Sequence, residues 1–567
     1  MAERCSPDPS GLQAAVAAWI ADDPDPGDQA ELRALLADAS PAAQAELADR
    51  FGGRLEFGTA GLRGAVAAGP NRMNRAVVRA ATAALAHWLR DRDPGTARAG
   101  VVIGCDARHR SAQFADEAAA VLAGAGFHVH LLPRPGPTPL LAFAVRQLDA
   151  AAGVMITASH NPAGDNGYKL YLADGAQIVP PADAEIEAAI RALGPLAAIP
   201  VAPLDAPLVI RHGGEVAEAY LAAITGQFPA PAAPPAPLRV VYTAMHGVAG
   251  PLMLEAIARA GFDPPYVVAA QADPDPDFPT VAFPNPEEPG ALDLALAQAT
   301  ALDADLVLAS DPDGDRLAVA VPTSLGWQRL TGDQAGALLG SYLLHLTAGQ
   351  PSPEDRLVAT TIVSSTLLSK IAAAAGARYG QTLTGFKWIV RASETQPGSR
   401  FLFGYEEALG YAVGQVVRDK DGMGAALAVL GLAAGERAAG RSLTGAYDAL
   451  EAAHGVHLTA QVTVATEVPV DIMSRLRAAP PTRFGDLPVA TVNDLTGGTW
   501  NLPSADVLSF QMVGARVVIR PSGTEPKIKA YFEVVEPVFL GRLGEARQAA
   551  AARLAPLRDA VQVLLAS

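Results

Sequence analysis

Apolar residues recur along this chain with two alternating spacings. Up to about residue 50 the spacing is helical. Leu12, Val16 and Trp19, then Leu32, Leu35 and Leu36, predict two or three helices packed on the outside of a first domain. Another helix is predicted from Met73 to about Arg90, on the spacing of Val77, Val78, Ala81, Leu85 and Trp88. Short apolar runs at 101–106, 127–132 and 151–156 read instead as buried strands, and the strand–helix–strand alternation predicts a mostly parallel sheet with crossover helices. The same order of apolar run, small-residue loop and helix starts at Val101, Val240 and Val358, so the chain repeats one α/β unit three times. The texture changes from about residue 458. Runs at 462–464, 489–492 and 515–519 predict strands of a smaller α+β domain, covered by an amphipathic helix from Leu540. Residues 228–238 are proline-rich and fit neither a helix nor a central strand, so they mark a boundary.

Length sharpens this division. A chain of 567 residues, half of them apolar, suggests roughly three or four domains. The expected plan is an N-terminal helical extension over 1–50 and domains over 51–210, 211–325, 326–455 and 456–567. No apolar run approaches the ~20 residues of a membrane span, and the N-terminus has no charged-then-apolar leader. Cys5 and Cys105 form no disulfide framework or ligand cluster, so the expected location is cytoplasmic. A formal charge of −16 argues against a nucleic-acid partner, which needs a basic face. An anionic small substrate would need positive groups gathered locally.

Six loops carry candidate chemistry. Ser159 and His160 follow the strand at 151–156, and Asn161-Pro162, Gly164 and Asn166-Gly167 constrain the loop. A hydroxyl there suits a nucleophile or phosphate carrier, and equally a turn. Lys169 closes the unit. Residues 57–64 hold three glycines and Arg63, whose donor fork suits phosphate, although a surface connection reads the same. Asp311, Asp313 and Asp315 alternate after an apolar run, with Arg316 next. Three close carboxylates repel unless a cation neutralises them, and hard oxygen ligands favour Mg2+ or Ca2+. An EF-hand loop is excluded, because it needs glycine sixth and glutamate twelfth; here glycine is fourth and Pro322 is twelfth. Thr384, Gly385 and Lys387 make a second basic glycine loop. Glu406 and Glu407 end an apolar run and suit either sugar hydroxyls or a turn cap. Arg520, Ser522, Gly523, Thr524 and Lys527 lie close enough to cradle an anion. A carrier hydroxyl, a cation site and basic phosphate grips are together what phosphoryl transfer requires.

In this order the motifs resemble the α-D-phosphohexomutases, in particular the longer phosphoglucomutase/phosphomannomutase-type enzymes, over nearly all of the chain except the N-terminal helices. The resemblance implies an α/β architecture of three similar mixed α/β domains plus a C-terminal α+β domain around a central cleft. It implies Ser159 as the phosphate carrier and Asp311, Asp313 and Asp315 as Mg2+ ligands, with the serine phosphate as a further ligand. Residues 404–410 resemble the sugar-specificity loop and 520–524 the phosphate-binding loop. The implied reaction interconverts hexose 1-phosphate and hexose 6-phosphate through a hexose 1,6-bisphosphate. In it Lys169 acts as acid/base or charge stabiliser with Arg63 nearby, His160 orients the loop, and Arg316 positions Asp315 or phosphate. Glu406 binds sugar, and Arg520, Ser522, Gly523 and Thr524 hold the distal phosphate. Many relatives have serine where this chain has Ala408. Glucose is the first expectation, with mannose and pentose phosphates open. A Mg2+-dependent sugar phosphatase and a degenerate binding protein are more distant alternatives. The expected partner is a small phosphosugar, and the chain is expected as a monomer or homodimer.

Overall fold

A computed structural model describes residues 9–228, 235–466, 468–499, 501–522 and 527–566. The chain divides into two compact units. The first comprises Met1–Ala232, Leu238–Ala318 and Val416–Leu427; the second comprises Ala233–Pro237, Val319–Gln415 and Ala428–Ser567. The segment Val416–Leu427 therefore folds with the first unit, although the residues on either side of it belong to the second.

The first unit opens with three helices, Pro9–Asp22, Pro26–Ala37 and Pro41–Phe51. Their starts are specified locally. Proline occupies the first turn, where its missing N–H costs nothing, and Asp25 and Ser40 accept from the free amides of the second and third helices. A six-stranded sheet follows in the order Leu62–Ala65, Asp165–Leu172, Ala152–Ile156, Val101–Cys105, Val129–Leu131 and Val209–Arg211. Its centre is parallel, as expected, and the strands Asp165–Leu172 and Leu62–Ala65 add an antiparallel edge. The strand Val101–Cys105 is buried throughout because helices cover both faces of a parallel sheet. Arg75–Arg92, capped by Asn74, and Ser111–Gly124 supply Leu85, Trp88, Phe114 and Leu122 to one core. The same unit holds the parallel strands Tyr266–Val267, Val240–Thr243 and Leu306–Ser310.

In the second unit, strands Arg378–Thr382, Arg356–Thr361 and Arg400–Glu406 run parallel, and Gly410–Val413 returns antiparallel. The C-terminal layer differs, as its sequence texture suggests. Five antiparallel strands run in the order Val456–Ala465, Lys527–Glu536, Ala515–Pro521, Leu508–Met512 and Thr491–Asp494. Helix Leu543–Ala566 seals the sheet with Ala546, Ala550, Leu557, Val561 and Leu565. The strand expected at 462–464 begins at Val456, and the one expected at 489–492 is Thr491–Asp494. The first discrepancy arises because Val462–Ala465 pairs only as the far end of a longer ladder to Lys527–Glu536. Most of the proline-rich boundary, 229–234, lies outside the described residues. Among the described residues, no helix is long and apolar enough to cross a membrane.

Candidate functional site

The serine loop is built in the first unit from the end of the strand Ala152–Ile156. Thr157 Oγ1 donates to Asp106 Oδ2 at 2.6 Å and accepts from Ser159 N at 2.9 Å. Ser159 takes a left-handed backbone conformation, φ +53°, which is uncommon for a residue with a side chain. Arg108 holds the loop in that shape. Its guanidinium donates to the carbonyls of Ser159 (2.7 Å), Asn161 (2.5 Å), Pro162 (2.7 Å) and Asp165 (3.1 Å). Gly167 on the returning strand is required by space, since a Cβ there would lie 2.5 Å from the Thr157 carbonyl oxygen. Arg63 Nη1 donates to Asn161 Oδ1 at 2.9 Å.

Ser159 Oγ donates to Asp311 Oδ2 at 2.8 Å, and His160 Nδ1 lies 3.2 Å from the same hydroxyl. Burial and the positive charges of Arg316 and Arg63 push the His160 imidazole well below its ordinary range, so it is neutral. Asp311, Asp313 and Asp315 follow the strand Leu306–Ser310 and are all fully buried. Gly314, with φ +71°, makes the tight turn that lets them face one another. One ligand oxygen from each lies within 4.8 Å of the others. Burial and the other two carboxylates raise Asp311 well above the usual range. Burial also opposes the charge on Asp313, but Lys169 and Thr138 more than offset this and hold it low.

Part of the positive charge that the three aspartates need comes from the protein itself. Lys169 Nζ donates to Asp313 Oδ2 at 2.6 Å and Asp315 Oδ2 at 3.0 Å, and Lys420 Nζ lies 3.4 Å from Asp315 Oδ2. Burial works against the Lys169 charge, but Asp313 and Asp315 outweigh it and raise its pKa, so the amine is an ammonium. The lysines engage only one side of the cluster. Asp313 Oδ1 and Asp315 Oδ1 are buried with no hydrogen-bond partner among the described residues. Unpartnered buried carboxylate oxygens, converging and all hard donors, fit a divalent cation such as Mg2+. Arg316 N donates to Asp311 Oδ1 at 3.0 Å, which anchors the end of the loop.

The second unit holds the remaining candidates. Glu406 ends the strand Arg400–Glu406, and Leu409, with φ +61°, turns the chain into Gly410–Val413. Glu407 Oε2 accepts from Ser364 Oγ at 3.1 Å and Thr361 Oγ1 at 3.4 Å. Burial, then Glu406 and Asp333, pushes its pKa up to about 7, while Arg520 pulls the other way. Arg520 therefore shares an electrostatic neighbourhood with the glutamate loop. It lies at the end of the strand Ala515–Pro521, its guanidinium 6.0 Å from the Tyr531 ring centroid. Ser522 N donates to the Lys527 carbonyl at 2.8 Å. Gly523 and Thr524 lie outside the described residues. Thr384 and Gly385 lead into the short helix Phe386–Ile389, which carries Lys387; Gly385 has φ +108°.

The four domains of one family match in order. Domains I, II and III of phosphoglucomutase/phosphomannomutase, each described as alpha/beta/alpha, match residues 54–195, 218–326 and 331–453, and its C-terminal domain matches 473–546. The chain belongs to the phosphoglucomutase/phosphomannomutase family. It is accordingly an intramolecular phosphotransferase, a phosphomutase. It is 41% identical to a protein of Haemophilus influenzae named "Probable phosphomannomutase", over 81% of this chain and 93% of that one. It is 38% identical to a protein of Schizosaccharomyces pombe named "Probable phosphoribomutase", over 84% and 86%. A crystal structure of a phosphoglucomutase/phosphomannomutase family protein from Burkholderia thailandensis has the same fold, with TM-score 0.65 and 22% identity over 88% of this chain and 96% of that one.

Within the phosphomutase frame, sequence reasoning missed Thr138, Asp106, Arg108 and Lys420. Thr138 Oγ1 donates to Asp313 Oδ2 at 2.5 Å. In sequence, Asp106 ends an apolar run, residues 107–111 open a helical stretch, and residues 418–422 stand before a long Ala-rich helix. Their unusual charge density was the available signal. Glu407 was visible as the neighbour of Glu406, but nothing in sequence showed which of the pair turns onto Thr361 and Ser364.

Proposed function

We propose that this phosphomutase moves a phosphate between C1 and C6 of glucose through a phosphorylated Ser159 and a hexose 1,6-bisphosphate. The reading rests above all on Ser159 Oγ, held 2.8 Å from Asp311 inside a buried acidic cluster that also binds Lys169. Asp311, Asp313 and Asp315 would hold Mg2+, with the serine phosphate as a further ligand. The ion would offset charge on the transferring phosphoryl group. In the first half-reaction the Ser159 Oγ–P bond breaks, a bond from phosphorus to the sugar hydroxyl oxygen forms, and the hydroxyl proton ends on the freed Ser159 Oγ, which becomes a hydroxyl again. The second half reverses this at the other end of the sugar. Lys169, an ammonium, stabilises the charge on the moving oxygens, and Arg63 and Arg316 supply further positive charge. Neutral His160 orients Oγ. In the second unit, Glu406 accepts from sugar hydroxyls, Lys387 with Thr384 and Gly385 contacts the substrate, and Arg520, Ser522, Gly523 and Thr524 grip the distal phosphate.

A pentose phosphate is the second reading. It is favoured by Ala408, which offers no hydroxyl to the sugar, and by the relative named "Probable phosphoribomutase". Coupled assays on glucose, mannose, ribose and deoxyribose 1-phosphates, each primed with a trace of its own bisphosphate, rank the sugars. A ribose kcat/KM above that for glucose replaces the first reading with the second. Ser159→Ala is expected to abolish turnover on every sugar, and retained mutase activity removes the carrier assignment.

A further inference from the structure

The N-terminal helices lie before residue 54, where the first matched family domain begins. They carry a small core of their own, with Leu12, Val16, Ile20, Leu32 and Leu47 buried. Asp25 caps the second helix, but that cap does not use the Asp28 carboxylate, and Asp25 and Asp28 are only 7% and 4% exposed. Buried carboxylates persist when they are paired. Here the main partner comes from outside the extension. Arg110 donates to Asp28 Oδ1 at 2.6 Å, Asp28 Oδ2 at 3.1 Å and Asp25 Oδ2 at 2.7 Å. Gln113 Nε2 adds a bond to Asp25 Oδ2 at 3.0 Å, and Arg75 lies 3.7 Å away.

Arg110 holds a left-handed backbone, φ +62°, immediately before the helix Ser111–Gly124, and its side chain does not cap that helix. Arginine has no intrinsic preference for this conformation, so the surroundings must impose it. The same six-residue turn carries the groups that shape the serine loop. Asp106 accepts from Thr157, Arg108 donates to the Ser159 carbonyl, and Asn166 Nδ2 donates to the His109 carbonyl and to Ser111 Oγ. One side of the turn grips the serine loop, and the other is gripped by the extension.

We infer that the N-terminal helices are a positioning element for the serine loop, acting through the clamp of Asp25 and Asp28 on Arg110. This rests on the reading of Ser159 as phosphate carrier. Once the clamp is lost, the turn relaxes, Arg108 shifts, and Oγ leaves its productive orientation, while sugar binding is untouched.

The test is Arg110→Gly, which suits the left-handed backbone but removes the guanidinium. In the full-length enzyme its kcat is expected to fall about tenfold or more while KM stays within about twofold. Single-turnover phosphorylation of Ser159 by radiolabelled glucose 1,6-bisphosphate should slow equally, and Arg110→Lys should recover part of the loss. Arg50→Met is the control. It removes bonds to Glu31 and Glu46 inside the extension and to the Ala68 carbonyl beyond it, leaves the Asp25, Asp28 and Arg110 contacts in place, and should lower the melting temperature with kcat within about twofold. A folded Arg110→Gly enzyme with kcat within about twofold of the parent overturns the inference, as does an equal kcat loss in Arg50→Met. If Arg110→Gly does not fold, Asp28→Asn takes its place with the same criteria. Intact mass spectrometry separates the two readings: a parent enzyme that never gains a phosphoryl group, or gains it in Ser159→Ala, sinks the carrier assignment independently of Arg110.

Discussion

Arg108→Lys is the most demanding single substitution for the serine-loop geometry. Lysine keeps the charge but replaces a planar fork with a point donor. In the parent, one guanidinium satisfies four loop carbonyls between 2.5 and 3.1 Å and lies 3.4 Å from Asp106 Oδ2. An ammonium has three protons and cannot span the same loop, so at least one buried carbonyl loses its partner. With charge-assisted bonds contributing about 1.5–3 kcal/mol each, the expected cost is about 3 kcal/mol. Arg108→Met also leaves Asp106 buried without its cation, and the cost rises to about 5 kcal/mol. Because the carbonyl of Ser159 is one of the four acceptors, the same loss loosens Oγ, and a displacement of about 1 Å costs roughly a hundredfold in kcat. Thermal unfolding followed by fluorescence measures the first effect, and single-turnover transfer from glucose 1,6-bisphosphate the second. Arg108→Lys with kcat within about threefold of the parent would refute the claim that this fork sets the serine geometry.

Two further outcomes concern the second unit. Glu533 is buried and accepts from Ser365 Oγ, Thr366 N, His457 Nδ1 and Arg516 Nε at 2.7–3.0 Å. Burial opposes its charge, but Arg516 and His457 outweigh it and lower its pKa to about 2, so its contribution is complete above the unfolded value and is lost as pH falls through 2. Glu533→Gln leaves Arg516 buried without its counter-charge and should cost about 3 kcal/mol at pH 7; a melting temperature within about 1 °C of the parent contradicts this. Glu407, raised to about 7, behaves oppositely. The folded state favours its protonated form, so its contribution is complete below about pH 4.5 and is lost as pH rises through 7. The effect is at most about 3 kcal/mol and smaller in proportion to the solvent still reaching the group. Urea titrations of parent and Glu407→Gln between pH 5 and 8 should differ in slope, and parallel curves remove the assignment.

Much of this enzyme was legible in the residue order alone. Apolar spacing separates helix from strand because each backbone geometry repeats its faces with its own period, and the strand-end loops carrying Ser159, the three aspartates, Glu406 and Arg520 could be located that way. What spacing cannot carry is partnership between distant segments. Nothing near Lys169 or Lys420 in sequence announces that both reach Asp315. Nothing near Asp25 points to Arg110, and Arg108 contacts the serine loop only because two adjacent parallel strands end side by side. Those pairings exist because buried charges are stable only where the fold supplies their counter-charges, and here distant stretches of the first unit come together to supply them.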